Sequence, residues 1–186
     1  MKNEIEIRLL DCNELDIIKR LEDNNADFVG EWLQIRKCYD FTPVKENSWI
    51  RLRTNGIETT LTIKEIQNSK IDGTKELEVV VSDFNDTDEI LNKLGYVSRS
   101  NQENKRIRYM LDGVEVDIDT WPYIPSYVEF ESDSEEKIRN VCKKLNINFD
   151  TLTTLDVTSI YKHYGYESES MNDLILEENR RIFLKK

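Results

Sequence analysis

The stretch Glu4-Ile5-Glu6-Ile7-Arg8 alternates charged and aliphatic side chains without interruption. Because successive side chains of a β-strand point to opposite faces of a sheet, this period of two predicts a strand over residues 4–10 with one charged and one apolar face. Like charges two positions apart on such a face lie roughly 7 Å from each other and repel. Solubility alone does not require that pattern, so the charged face is expected to meet a partner of opposite charge.

The same alternation predicts six further strands, over residues 49–53, 59–64, 75–81, 106–111, 114–119 and 127–131. Between two of them, Leu111-Asp112-Gly113 is typical of a tight hairpin turn, which favours antiparallel pairing. Several of these strands carry charges of a single sign on one face. Arg51 and Arg53 share a basic face, whereas the polar positions of residues 114–119 are all acidic.

Apolar residues at helical spacing predict three helices, over residues 13–27, 86–94 and 134–145, and a fourth after Thr158. A further helix through Leu174 and Ile175 is expected in a C-terminal extension, residues 168–186. The predicted class is therefore α+β, with one domain over residues 1–186 built on a mostly antiparallel sheet.

Composition narrows the classes of function. The 186 residues include 26 Lys and Arg against 37 Asp and Glu, a net charge of −11, which argues against duplex nucleic acid as a partner. No apolar run approaches the ~20 residues of a membrane span, and the first residues do not resemble a signal peptide. The three cysteines are widely spaced and odd in number, which disfavours a disulfide framework. We therefore expect a cytoplasmic protein without a membrane partner, either a monomer or a homodimer.

The charged strand faces themselves indicate a chemistry. Clustered carboxylates favour hard divalent cations such as Mg²⁺ or Mn²⁺, and clustered arginines favour phosphate, which guanidinium binds in a bidentate manner. Both sets on one sheet point to a site for a metal ion and a polyphosphate. If the sheet closes into a barrel, the charged faces line the lumen and the apolar faces lie under the helices.

The ordered set of segments resembles the CYTH superfamily, the triphosphate tunnel metalloenzymes, which include class IV adenylate cyclases, thiamine triphosphatases and inorganic triphosphatases. The E-x-E-x-K hallmark of that family is similar to Glu4–Arg8, and the resemblance extends to about Tyr161. Two departures stand out: Arg8 replaces the usual lysine, and Arg36 stands where an acidic residue is common. The other similar stretches are residues 34–43, 49–53, 61–64, 105–108, 117–121 and 129–131.

The resemblance implies a closed, mostly antiparallel eight-stranded barrel, a tunnel with a charged lumen and flanking helices. It implies that acids bind Mg²⁺ or Mn²⁺, and that basic residues hold a triphosphate. The implied metal ligands are Glu4, Glu6, Asp117, Asp119, Glu129 and Glu131. The implied phosphate-binding residues are Arg8, Arg51, Arg53, Lys64, Arg106, Arg108 and Lys162. Direct participation in catalysis is expected of Glu4, Glu6, Arg8 and Lys64. A final acidic group either binds a second metal or pairs with the arginines; it comprises Glu76, Glu78 and Glu115.

Arg8 cannot act as a general base, because the pKa of an arginine side chain is above ~12 and the group stays protonated at neutral pH. Attack on phosphorus would then depend on a metal ion. The preferred function is hydrolysis of a small-molecule triphosphate: ATP, another nucleoside triphosphate, inorganic triphosphate or thiamine triphosphate. A class IV adenylate cyclase, which converts ATP to cyclic AMP and pyrophosphate, is the first alternative. A nucleotide or polyphosphate sensor without catalysis is the second.

Overall fold

Strands dominate the chain, as a computed structural model shows. Residues 1–166 and 173–174 are described, apart from the side chains of Lys2, Asn3, Glu4 and Asp173. The strands are β1 Lys2–Leu9, β2 Asp27–Tyr39, β3 Ser48–Thr54, β4 Thr59–Ile66, β5 Thr74–Val81, β6 Ser98–Leu111, β7 Val114–Thr120, β8 Tyr127–Ser132 and β9 Asp173–Leu174. The helices are α1 Glu14–Asp23, α2 Phe84–Lys93, α3 Glu135–Lys144 and α4 Val157–His163, with a short 3₁₀ turn at Phe149–Thr151.

Eight strands pair antiparallel in the order β2-β3-β4-β5-β1-β8-β7-β6, and β2 also pairs with β6. β9 adds to β6 in parallel. The joint between β1 and β5 covers only three residue pairs. Beyond it the amide of Glu6 donates to the carbonyl of Ile71, and that of Arg8 to the carbonyl of Thr153. The α+β class is confirmed, but the barrel is not closed all round, because β1 and β5 separate beyond this short joint.

The two faces of the sheet have the polarity that the alternation predicts. Charged side chains line the concave face, and the convex face of β1, β6, β7 and β8 is apolar and lies under α1 and α3. Ile107, Val116 and Phe130 are buried there against Leu21 and Ile138 of the two helices. A smaller apolar cluster packs α2 on β3. This burial holds the sheet curved around a polar interior.

Local geometry explains several element boundaries. The turn between β6 and β7 places both Asp112 and Gly113 at positive φ, the type I′ conformation that suits a two-residue hairpin. α1 begins where the Asn13 side chain accepts a hydrogen bond from the amide of Asp16 at 3.1 Å. It ends at Asp23, earlier than predicted, because the chain turns at Asn24 and Asn25 to enter β2.

Some predictions about the elements were incomplete. β2 was not predicted as a strand, and β6 begins at Ser98 rather than at residue 106. In the C-terminal extension, Leu174 lies in β9 rather than in a helix, because it pairs with β6 and is buried against Trp121 and Tyr161. The rest of that extension, residues 168–172 and 175–186, lies outside the described residues. In the described part, no helix has the length and apolar character needed to cross a membrane.

Candidate active site

The concave face of the sheet encloses a cavity of about 260 Å³, to which every charged strand except β1 contributes described side chains of a single sign. From β2 and β3 the described lining residues include three arginines and no acid; we name them the arginine wall, and they are Arg36, Arg51 and Arg53. From β7 and β8 the described lining residues include four carboxylates and no base; we name them the carboxylate wall, and they are Glu115, Asp119, Glu129 and Glu131. The cavity therefore has a cationic and an anionic side.

Arg106 lies at the base of the carboxylate wall and is surrounded by acids. Its Nε and Nη2 donate to the two Asp119 oxygens at 2.8 and 2.5 Å, and Nη1 lies 2.5 Å from Asp117 Oδ2. Glu129 Oε1 accepts from Nη2 at 3.1 Å. Burial alone would lower the pKa of Arg106, but these three carboxylates outweigh it and raise that pKa. Arg106, predicted to bind phosphate, is therefore already occupied by protein carboxylates.

The acids around Arg106 respond differently to it. Burial raises the pKa of Asp119, and the nearby Glu129 and Asp117 add to that rise against the pull of Arg106. Burial acts in the same direction on Glu129, but Arg8 and Arg106 outweigh it and hold the pKa of Glu129 well below its usual range. Glu129 is thus firmly ionised, whereas Asp119 depends on Arg106 to keep its charge.

Arg108 and Arg8 complete the ion pairs of the carboxylate wall. Arg108 donates from Nε and Nη2 to Asp117, both at 2.7 Å, and its Nη1 lies 2.6 Å from Glu115. Arg8 lies between Glu6, at 2.8 Å, and Glu129, at 2.5 Å, and also donates to the Leu155 carbonyl at 3.0 Å. The arginine that replaces the usual lysine therefore ties β1 to β8 and to the segment before α4.

The arginine wall is less well neutralised. Arg51 lies 3.3 Å from Glu78 and 3.6 Å from Glu76, and Arg53 lies 3.7 Å from the same Glu78 carboxylate. Arg51, followed by burial and other arginines, lowers the pKa of Arg53 well below its ordinary value. Lys64 lines the cavity on β4 and pairs with Glu76. This side of the cavity keeps an excess of cationic charge, as a phosphate-binding surface requires.

A row of carboxylates crosses three adjacent strands on the concave face. Glu6 on β1 is the direct cross-strand partner of Glu131 on β8, which in turn pairs with Glu115 on β7. Like charges directly opposite each other destabilise a sheet unless something neutralises them. The side chain of Glu4, the other predicted ligand on β1, lies outside the described residues.

The donor set of this row fits a divalent cation that also binds substrate. In the described side chains, no group of three or more His, Cys, Asp or Glu is placed so that it could hold a metal ion on its own. Mg²⁺, however, is commonly held by one or two carboxylates plus substrate phosphates and water. Glu6 and Glu131 supply two such carboxylates. Asp117 and Asp119 are engaged by arginines, and Glu6 pairs with Arg8, so the role of each as a metal ligand stays a prediction.

Lys162, predicted to bind phosphate, lies apart from the other basic residues. It lines a second cavity of about 520 Å³ and not the charged cavity. The two cavities share lining residues, among them Trp49, Thr74, Arg99 and Asp156, so the outer one opens into the inner one. Lys162 can therefore contact the outer portion of a ligand that extends from the charged cavity.

The sequence agrees with this geometry, since residues 2–161 match the CYTH domain. The chain belongs to the CYTH family. No curated protein sequence matches it closely enough to count as a relative.

Solved structures share the CYTH fold at low identity. A conserved protein of Pyrococcus furiosus is 24% identical with a TM-score of 0.72, over 84% of this chain and 99% of that one. A protein of Pyrococcus horikoshii is 21% identical with a TM-score of 0.73, over 84% and 98%. A proposed adenylyl cyclase from Hippeastrum with a dominant triphosphatase activity is 15% identical with a TM-score of 0.59, over 90% and 98%. At these identities the likeness shows the fold alone.

Two features of the site were not predicted. Arg36 belongs to the arginine wall, although the sequence suggested only that it departs from an acidic position. Tyr127 lies in the cavity beside Asp119 and Glu129, where burial and those acids raise its pKa. The alternation of β8 places Tyr127 on the same face as Glu129, and that signal was sufficient to include it.

Proposed function

We propose that this protein is a divalent-metal-dependent triphosphatase that acts on a small-molecule triphosphate. The observation that carries the proposal is the separation of charge within one cavity, with three arginines on β2 and β3 and four carboxylates on β7 and β8. An elongated polyanion that carries a metal ion complements both sides, because its phosphates match the arginines and its metal matches the carboxylates.

The size of the charged cavity supports a phosphate chain as its ligand. Its volume of about 260 Å³ is below the range of roughly 300–1,000 Å³ that is usual for sites enclosing a whole drug-sized molecule. Its lining is charged, unlike the mainly apolar lining of those sites. A phosphate chain is compact and highly charged, so it suits this interior better than a nucleoside does.

Phosphoryl transfer requires charge neutralisation and alignment more than covalent help from the protein. Glu6 and Glu131 would hold the metal ion, with Glu4 as the ligand implied by the family resemblance. A bound Mg²⁺ or Mn²⁺ neutralises phosphate charge and polarises the phosphoryl group. Arg51, Arg53 and Lys64 bind phosphate oxygens in our proposal.

Arg106 and Arg8 serve the same reaction indirectly. Arg106 keeps Asp119 and Glu129 ionised and fixed, and Arg8 fixes Glu6 and Glu129 across the joint between β1 and β8. Neither arginine can accept a proton from attacking water at neutral pH. The described lining residues include no histidine, so acid–base catalysis by imidazole is not part of the proposal.

The outer cavity favours class IV adenylate cyclase as a second candidate. Its volume of about 520 Å³ and its connection to the charged cavity would admit the nucleoside of ATP. Cyclisation would release pyrophosphate and cyclic AMP, whereas hydrolysis of the terminal phosphate releases orthophosphate. Product identity therefore separates the two reactions.

The test is a product assay on ATP, GTP, inorganic triphosphate and thiamine triphosphate, each with Mg²⁺, with Mn²⁺ and with a chelator. We expect metal-dependent release of orthophosphate from at least one substrate. Lys64→Met should lower that rate more than tenfold, because it removes a positioned cation from the site. Lys144→Met, a control that removes an exposed lysine paired with Asp112, should not change it.

Each other outcome excludes part of the proposal. Release of pyrophosphate and cyclic AMP from ATP would show that the protein is a cyclase and not a triphosphatase. Binding of triphosphate with no product in either metal would support the sensor. An unchanged rate in the presence of chelator, with metal-free protein, would overturn the role of the metal ion.

A further inference from the structure

Arg36 is a buried cation with neutral hydrogen-bond partners. It is 6% exposed, and its Nη2 donates to Gln34 Oε1 at 2.7 Å and to Asn104 Oδ1. Its guanidinium carbon lies 4.6 Å from the centroid of the Trp121 ring, a cation–π distance. Among the described residues, no carboxylate lies within 4.0 Å of Arg36, unlike Arg8, Arg51 and Arg106.

The nearest charges on its own side of the cavity are also positive. Arg36 is the direct cross-strand partner of Arg53, and the next inward residue of β3 is Arg51. Burial, followed by Arg51 and Arg106, lowers the pKa of Arg36 to about 10. Like charges directly opposite each other on a sheet are destabilising. The cavity thus holds repelling arginines together, and Asp119 offsets that repulsion at Arg36 only in part.

Two buried donors of this cluster have no partner among the described residues: the Nε atoms of Arg36 and Arg51. An unsatisfied buried donor is costly, and on a charged group it is more so. Gln34, Asn104 and the Trp121 ring fix the orientation of the Arg36 guanidinium without neutralising it. These are the features of a group prepared for an anion that the protein itself does not supply.

We propose that Arg36 is a further phosphate-binding residue, which together with Arg51 and Arg53 forms a subsite for a terminal phosphate group. The inference rests on the proposed function, since it names the residue that holds one end of the same polyphosphate. A terminal phosphate carries more charge than an internal one, so three arginines favour it. The proposed metal ligands Glu6 and Glu131 are on β1 and β8, so they would face a different part of the polyphosphate.

The test compares wild type, Arg36→Gln and Arg139→Gln by calorimetric titration in Mg²⁺, with inorganic triphosphate in one arm and ATP in the other. Arg139 is a matched control because it is a half-exposed arginine of α3, outside the cavity. Arg36→Gln should bind inorganic triphosphate about ten- to a hundredfold more weakly, the scale of a lost charged hydrogen bond. A similar loss for ATP would show that a nucleotide places its terminal phosphate there too, and no loss for ATP would restrict the subsite to the inorganic chain.

Thermal melting of the ligand-free proteins separates binding from a structural role. Because Arg36 is repelled by its neighbours, Arg36→Gln without ligand should melt at the same temperature as wild type or higher. A lower melting temperature together with an unchanged affinity for triphosphate would overturn the proposal in favour of a structural role. If Arg36→Gln does not fold, Arg36→Lys decides the question: it should weaken triphosphate binding severalfold, and wild-type affinity would refute the inference.

Failure of this inference is distinguishable from failure of the proposed function. If wild type does not bind inorganic triphosphate at all, both are overturned. If wild type binds and hydrolyses it and Arg36→Gln does so with the same affinity, only the role of Arg36 is lost.

Discussion

Replacement of Arg106 by methionine should be among the most damaging single changes to the stability of this protein. The substitution keeps the bulk of the side chain but removes the positive charge shared by Asp117, Asp119 and Glu129. After it, Asp117 still has Arg108 and Glu129 still has Arg8. Among the described residues, the fully buried Asp119 then keeps only the side-chain amide of Asn104 as a partner, at 3.0 Å.

The expected cost follows from that single orphaned charge. Loss of one partner from a buried ion pair typically destabilises a protein by about 3–5 kcal/mol. For a chain of this length, about 1 kcal/mol corresponds to a shift of about 2–4 °C, so the melting temperature should fall by roughly 6–20 °C. Urea denaturation followed by circular dichroism measures the free energy of unfolding, and calorimetry measures the melting temperature.

A second substitution and the pH both test the cause. Asp119→Asn in the Arg106→Met background removes the orphaned charge and should recover most of the loss, a coupling that a double-mutant cycle measures. In the single variant the pKa of Asp119 is raised in the folded state, so the unfolding free energy should be higher at low pH and fall as pH rises through that pKa. Arg139→Met is the exposed control. A loss below about 1 kcal/mol, or no recovery in the double variant, would refute this account of Arg106.

Three further outcomes follow from the site. Glu131→Gln and Glu6→Gln should each lower metal-dependent phosphate release more than tenfold, because each removes a charged ligand; an unchanged rate would remove that residue from the metal site. Arg8→Ala should lower the free energy of unfolding by about 3–5 kcal/mol, while Arg8→Lys should lose less by retaining the charge beside Glu129; equal losses in urea titration would contradict this. Because the pKa of Glu129 is depressed in the folded protein, its stabilising contribution is present above the unfolded pKa of about 4.3 and is lost as pH falls below it. Glu129→Gln should therefore flatten the acid limb of the stability profile in urea titrations between about pH 5 and pH 3.

The strands that could be predicted are those in which one face carries mainly charged side chains and the other mainly apolar ones. β1, β7 and β8 alternate cleanly because most of their inward side chains are charged and most of their outward side chains are apolar. β2 was missed because the polar Arg36 and the apolar Cys38 both face inward, while the charged Lys37 faces outward toward Asp88, so polarity does not follow the period of two. The first half of β6 is polar on both faces and gives no such signal.

The candidate site was predictable in its residue types but not in its pairings. Inward charge on a strand can be recognised from the sequence, but whether an arginine is free for a ligand depends on the register between strands. Arg106 is opposite Asp119 and is therefore occupied, whereas Arg36 is opposite Arg53 and is not neutralised. A one-residue shift in the pairing of β6 with β7 would place Arg106 opposite Ile118 or Thr120 instead of Asp119. That register is fixed only by the packing of the whole sheet.

The position of β1 between β5 and β8 has a consequence for biosynthesis. Arg8 donates to the carbonyl of Leu155, which lies 147 positions further along the sequence. β1 also pairs with β8, a strand from the second half of the sequence. Contacts so distant in sequence give a high contact order and slow folding. While the ribosome is still translating the second half of the chain, β1 has no β8 to pair with, and its apolar face has nothing from α3 to cover it. Nascent chains should therefore depend on chaperones, and the carboxylates of β1 and β8 should meet only after the whole sheet has been synthesised.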